Sequence, residues 1–177
     1  SRGDPVTFTA RNYDRGAAAL SRLRRENPRA QLSLELCDLT SVESIKSFAR
    51  KLVAEKRLVH TLVHNAGVLR APGERQLTAS GIEITLATNA LGPALLTTAL
   101  LPALAAAPAS RVLILTSRLH HPGSRGAPVD FAFDDPNLEH GYDRDRAYKN
   151  SKLAAIWVAR ELDRVLPPSV TCNAICP

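Results

Sequence analysis

The chain has 177 residues, 45% of them hydrophobic, 23% charged and only 5% aromatic, which suits one domain with a real hydrophobic core and excludes a disordered or fibrous chain. The formal net charge is +6, but much of the excess sits at Arg22, Arg24, Arg25 and Arg29, without the aromatic or glycine-rich partners of a nucleic-acid surface, and reads as a solvated helix face. Cys37, Cys172 and Cys176 make neither a Cys-x-x-Cys pair nor a disulfide framework, and the five histidines show no metal spacing, so reduced thiols and no metal site are expected.

Strand and helix patterns alternate along the chain. Val6 to Ala10 is a β-rich run, Ala17 to Arg25 a helix that ends before Asn27-Pro28, and Leu32 to Cys37 a second strand. Thr40 is placed to cap the next helix, with Glu43 three residues on completing a capping box. Leu58 to Val63 reads as a buried strand that breaks at Asn65-Ala66-Gly67. A long helix is expected over Ser80 to Ala106. The most apolar stretch, Ala94 to Ala109, contains Thr97, Thr98, Pro102 and Pro108 and is too short and interrupted to span a bilayer. Arg111 to Leu115 is the next strand, with Thr116-Ser117 at its carboxyl end. Arg118 to Arg146 is a polar loop bearing Pro122, Gly123, Gly126, Pro128 and Pro136, a length that usually accompanies function in a compact domain. A helix over Ala147 to Leu166 and a strand over Val170 to Ile175 complete the pattern. No signal peptide or lipidation motif is visible.

This alternation implies βαβ units, a mostly parallel sheet and an α/β fold. Ligands of such sheets bind at the carboxyl ends of the strands, where Cys37-Asp38, His64-Asn65 and Thr116-Ser117 all fall. Tyr148 and Lys152, four residues apart on a predicted helix, share one face. A free phenol titrates near ~10, and a neighbouring cation favours the phenolate, so such a pair can serve as an acid/base at neutral pH. On spacing alone, the bland reading is the favoured one, because Tyr and Lys one turn apart often just snorkel from an exposed face.

Asn65-Ala66-Gly67, Asn89 in Asn89-Ala90-Leu91-Gly92, Ser117 and Tyr148-x-x-x-Lys152 occur in the order found in the short-chain dehydrogenase/reductase family, which the chain resembles over essentially its whole length. Ala10-Arg11, Ser117 followed by His120-His121-Pro122-Gly123, and Ala147-Tyr148 with Ser151-Lys152-Leu153-Ala154 look most like its retinol dehydrogenase and WW-domain oxidoreductase-like branch. The resemblance implies one Rossmann-type, three-layer, doubly wound parallel domain over residues 1–177, and an NADP-dependent oxidoreductase interconverting an alcohol and a carbonyl. An apolar substrate such as a retinoid, steroid or lipid aldehyde is implied by the branch. By the same carry-over, Tyr148 is the acid/base and Lys152 favours its phenolate and binds the nicotinamide ribose. Ser117 hydrogen-bonds the substrate oxygen, and Asn89 holds a water that relays protons. Asp38-Leu39, Asn65-Ala66-Gly67 and Pro177 are implied to line the cofactor. In a dinucleotide fold an acidic residue ending the second strand favours NAD, whereas arginine accommodates the 2′-phosphate of NADP. The run Val6 to Ala10 is followed by Arg11 and has no carboxylate until Asp14, which favours NADP.

Departures accompany the resemblance. The family usually has Asn at His64 and often Ser at Thr116, and the interval from Ser117 to Tyr148 is longer than in many relatives. No Gly-x-x-x-Gly-x-Gly loop is present, and Ser1-Arg2-Gly3 looks like the end of the helix that follows it. The expectation is therefore a partial sequence lacking the central strand of the 3-2-1-4-5-6 order and the region of the last strand, with two unpaired inner edges and no activity as it stands. Three alternatives compete: a non-catalytic regulatory or scaffold member of the fold, a sugar-nucleotide epimerase or dehydratase, and, remotely, a nucleic-acid-binding module. The reading favours a small-molecule partner and no nucleic acid, and leaves open a homodimer and the choice between a cytoplasmic and a membrane-associated whole protein.

Overall fold

The structure, a computed structural model, describes residues 3–69, 74–121 and 129–177. Ser1 and Arg2, the Pro122-Gly123 part of the branch resemblance, and Gly126 and Pro128 of the polar loop lie outside the described residues. The strands are β1 (Val6–Ala10), β2 (Leu32–Leu36), β3 (Thr61–His64), β4 (Ser110–Leu115) and β5 (Val170–Ile175). All pairings are parallel, in two sheets ordered β1-β2 and β3-β4-β5. Among the described residues no strand joins the two sheets, so β1 and β3 each keep one edge without a ladder partner, as the resemblance implied.

The helices are α1 (Tyr13–Glu26), α2 (Val42–Ala54), α3 (Ile84–Leu86), α4 (Gly92–Ala99), α5 (Leu101–Ala105) and α6 (Arg144–Val165). The core forms where their apolar stripes meet the sheets. Ile45, Phe48, Ala49 and Leu52 of α2 recur at helical spacing and are buried. Val112 and Ile114 of the central strand β4 are almost completely enclosed. Each fully buried side chain of this size contributes roughly 1.5–3 kcal/mol. The inner face of α6 is mostly small, with Ala147, Ser151, Ala154, Ala155 and Ala159 buried, which lets the helix lie close over β4 and β5. The two sides touch through α2 and α4. A Cβ on Gly92 would stand 2.6 Å from the Leu39 carbonyl oxygen, so only glycine permits that approach.

Several sequence expectations shift: the first helix begins at Tyr13 rather than Ala17, and the strand expected as buried over Leu58 to Val63 is Thr61–His64, with Thr61 and Val63 exposed. Ser41, not Thr40, caps α2, accepting a hydrogen bond from the Ser44 amide. The Thr40 hydroxyl is drawn instead to the Asp38 carboxylate at 2.7 Å, so a local Asp–Thr turn displaces the cap by one residue. Helix α6 begins at Arg144, three residues before the expected Ala147, because the Asp143 side chain accepts from the Arg146 amide and caps it there. The helix expected over Ser80 to Ala106 begins only at Ile84, capped by Glu83. It passes through a π-helical turn at Ala87–Leu91 and breaks again at Leu100. Pro93 and Pro102, at the starts of α4 and α5, lack the amide proton a continuous helix needs.

Candidate active site

Lys152 is placed by α6 and fixed by β4. Its Nζ donates to the Leu115 carbonyl at 2.8 Å and lies 5.8 Å from the centroid of the Tyr148 ring. The one-turn spacing thus brings phenol and ammonium together as expected. Burial pushes the Lys152 ammonium below the ordinary lysine range, since the charged form loses hydration. Tyr148 is half-buried, one turn before it.

Asn89 occupies the π-helical turn, and all its side-chain bonds run within the protein. Its Oδ1 accepts from the Val68 amide at 2.8 Å, and its Nδ2 donates to the Val68 carbonyl at 3.0 Å and to Ser151 Oγ at 2.9 Å. Both amide protons are therefore taken by protein acceptors. Gly67 lies against this group. A Cβ there would stand 3.2 Å from Asn89 Oδ1 and 3.5 Å from Lys152 Nζ, so the bare backbone leaves room for both.

Ser117 stands two residues past the end of β4 and caps a short 3-10 turn (Arg118–His120) that packs on α6. Its Oγ accepts from the Leu119 amide at 3.3 Å, leaving the hydroxyl proton to donate elsewhere. His120 Nδ1 donates to the Ser117 carbonyl, which fixes its tautomer and the turn. Pro177 lies beyond β5, whose Ile175 carbonyl accepts from the Thr116 amide at 2.7 Å, so Cys176-Pro177 runs on from beside Thr116-Ser117. Asn65, Ala66 and Gly67 are exposed at the end of β3.

The remaining residues named from sequence belong to the other sheet. Arg11 is exposed just beyond β1, beside Asn12, which caps α1. Asp38 stands after β2, where its Oδ1 accepts from the Thr40 amide at 2.9 Å and from the Thr40 hydroxyl. Leu39 reaches across to Gly92. The structure therefore gathers Tyr148, Lys152, Asn89 and Gly67 into one contact group, with Ser117 on the adjoining turn, and holds Arg11 and Asp38 on a separate ladder.

Three buried polar side chains near these elements were not assigned a role from the sequence. His64 is buried and its Nε2 lies 2.8 Å from the Thr97 hydroxyl, and burial lowers its imidazole from the usual 6.5 to about 4. Glu83, 1% exposed, accepts from the Leu86 amide, and its own amide donates to Asn137 at 2.9 Å. Ser151, 0% exposed, bridges Asn89 to α6. Ser151 carried a sequence signal in its place in the Tyr-x-x-Ser-Lys run, and His64 one in its place at a strand's carboxyl end. Among the described residues no cluster of metal ligands occurs.

Residues 1–129 match the short chain dehydrogenase family model. Human retinol dehydrogenase 12 is 36% identical over 178 aligned positions, covering 100% of this chain and 54% of that protein. The chain spans about half the length of the curated relatives it matches. A crystal structure of an uncharacterized Mycobacterium paratuberculosis protein superposes with a TM-score of 0.80 at 29% identity, covering 99% of this chain and 59% of the other. The short-chain dehydrogenase from Sphingobium yanoikuyae in complex with NADPH gives a TM-score of 0.70 at 23% identity, covering 99% and 62%, a likeness of fold.

Proposed function

The chain belongs to the short-chain dehydrogenase family, and from that premise we propose that the whole protein is an NADP(H)-dependent oxidoreductase that interconverts an apolar alcohol and its carbonyl. The observation that carries this reading is the Tyr148–Lys152 pair, with Lys152 anchored on the Leu115 carbonyl beside Gly67. The residues present fit a nicotinamide dinucleotide: the exposed Asn65-Ala66-Gly67 backbone offers a side-chain-free approach, and the exposed Arg11 offers a planar fork to a 2′-phosphate. Asp38, Leu39 and Pro177 would line the rest of that face, and Lys152 would hold the nicotinamide ribose. When bound, NADP(H) supplies or takes up the hydride.

The chain's own groups handle charge and protons. Tyr148 gives its hydroxyl proton to the substrate oxygen during carbonyl reduction and recovers one during alcohol oxidation. Lys152 stabilises the phenolate between these events. Ser117 donates to the substrate oxygen, where negative charge develops. Asn89, with both amide donors engaged, keeps Val68 and hence Gly67 in place against Lys152. A retinoid-class substrate is supported by the retinol dehydrogenase names of the relatives.

The test is Tyr148→Phe in the full-length protein, assayed with retinaldehyde and NADPH. Turnover should fall by about 10²–10⁴-fold, the range of a positioned acid/base, with NADPH affinity nearly unchanged. A variant that turns over at the wild-type rate removes Tyr148 from the mechanism.

A further inference from the structure

We infer that Ser151 is a positioning residue of the active site, the hydroxyl that locks the Asn89 amide and ties the Gly67 loop to the backbone of Tyr148; the inference rests on the oxidoreductase reading above. It starts from a direction of hydrogen bonding. Ser151 Oγ lies 2.7 Å from the Tyr148 carbonyl, which can only accept, so the single hydroxyl proton is spent there. Toward Asn89 the same oxygen can then act only as an acceptor. It therefore selects Nδ2, at 2.9 Å, as the Asn89 atom that faces α6.

That choice fixes the other half of the amide. With Nδ2 turned to Ser151 and the Val68 carbonyl, Oδ1 is aimed at the Val68 amide. An asparagine flipped by half a turn would set its oxygen against the Val68 carbonyl and the lone pairs of Ser151, and its NH₂ against the Val68 amide proton. The result is one directional chain of hydrogen bonds: Val68 amide to Asn89, Asn89 to Ser151, Ser151 to the Tyr148 carbonyl. It spans from the residue after Gly67 to the acid/base on α6.

Burial gives the chain its weight. Ser151 is 0% exposed and Asn89 2%, so no bulk water replaces a lost partner. The π-helical turn at Ala87–Leu91 carries Asn89 between Val68 and α6, where it meets Ser151. Without the Ser151 oxygen, an Asn89 donor is left buried and unpaired, and the amide loses the constraint that distinguishes its two ends. Gly67 stands against both that amide and Lys152 Nζ, so a rotation of the amide reaches Lys152 through the Gly67 backbone.

The experiment uses the full-length protein, with Ser151→Ala, Asn89→Ala, the double variant and Tyr148→Phe, assayed with retinaldehyde and NADPH. Ser151→Ala should lower kcat by about tenfold, the equivalent of one hydrogen bond, with little change in KM for NADPH. If Ser151 acts through Asn89, the double variant is no slower than Asn89→Ala alone. Losses that multiply, or Ser151→Ala at the wild-type rate while Tyr148→Phe is inactive, overturn the inference and leave the oxidoreductase reading intact. An active Tyr148→Phe overturns that reading instead. A measurement that needs neither turnover nor a variant is side-chain amide exchange of Asn89 by NMR: both protons should be strongly protected relative to an exposed asparagine, and rapid exchange of either breaks the chain.

Discussion

Both sheets are parallel ladders, yet they hold functional groups in opposite ways. On β3-β4-β5 the groups are enclosed: Asn89, Ser151, Lys152 and His64 are all buried and each is tied to a named partner. On β1-β2 most of the ion pairs lie outside. Arg50 bonds Glu43 and Arg22 meets Glu26 on exposed positions, the exposed Lys51 bonds the partly buried Glu35, and Arg11 stands in solvent. Exposed pairs of this kind contribute about 0–1 kcal/mol each, whereas a buried unpaired donor costs about 1–3 kcal/mol. The comparison teaches a division of labour. The enclosed side tolerates little change because its geometry is over-determined. The open side carries a charge that can be exchanged with little effect on the fold.

The largest effect expected from that division is a pH response confined to the enclosed side. His64 is held neutral by burial, with its pKa lowered to about 4, while the unfolded chain protonates near 6.5. Between those values the unfolded state binds a proton that the native state refuses, so stability falls as pH drops from 6.5 towards 4 and levels off below. At 1.36 kcal/mol per pH unit the loss amounts to roughly 3 kcal/mol. Thermal unfolding of wild type and His64→Asn across pH 7 to 4 checks it, because the variant should lose this component of the slope. Equal slopes would mean that the β3 end is not closed around His64.

Gly67→Ala tests the enclosed side by crowding rather than by charge. The new Cβ falls 3.2 Å from Asn89 Oδ1, so the asparagine or the loop must shift by a few tenths of an ångström. Misplacing Lys152 and Asn89 to that degree should cost about tenfold in kcat of the full-length protein, since small displacements of positioned groups are expensive. Unchanged kinetics would show that this contact group has more play than its hydrogen bonds imply.

How far the sequence foretold this arrangement depends on the range of the interaction. β1 and β5 fall where the periodicity puts them, because short β-branched runs between turn signals are local features. Tyr148 and Lys152 were readable because their spacing is local too. The π-helical turn was not, since nothing in Ala87-Thr88-Asn89-Ala90-Leu91 marks it beyond the asparagine itself. Its neighbour Val68 is 21 residues earlier and Ser151 62 residues later. The burial of His64 depends likewise on Thr97, 33 residues on, and the lost Thr40 cap on competition from Asp38 for the same hydroxyl. Local chemistry proposed each partner; tertiary contact chose among them.

Arg11→Asp makes the smallest demand on the fold and probes the open side. Arg11 is exposed and leaves the Asn12 cap itself unchanged, so stability should move by no more than about 0.5 kcal/mol, as for ordinary surface substitutions. The specific effect should appear in cofactor preference. Removing the guanidinium deprives a 2′-phosphate of its bidentate partner, and the new carboxylate repels that phosphate while accepting a hydrogen bond from a 2′-hydroxyl. The ratio of kcat/KM for NADPH over NADH in the full-length protein should drop by at least about tenfold, the scale of one charge-assisted hydrogen bond lost. The pH dependence assigned to His64 should be untouched, since it originates in the other ladder. A ratio that does not move would separate Arg11 from cofactor choice. A shift in ratio accompanied by a fall in stability of several kcal/mol would break the comparison itself, because it would show that the exposed strand end is coupled to the core.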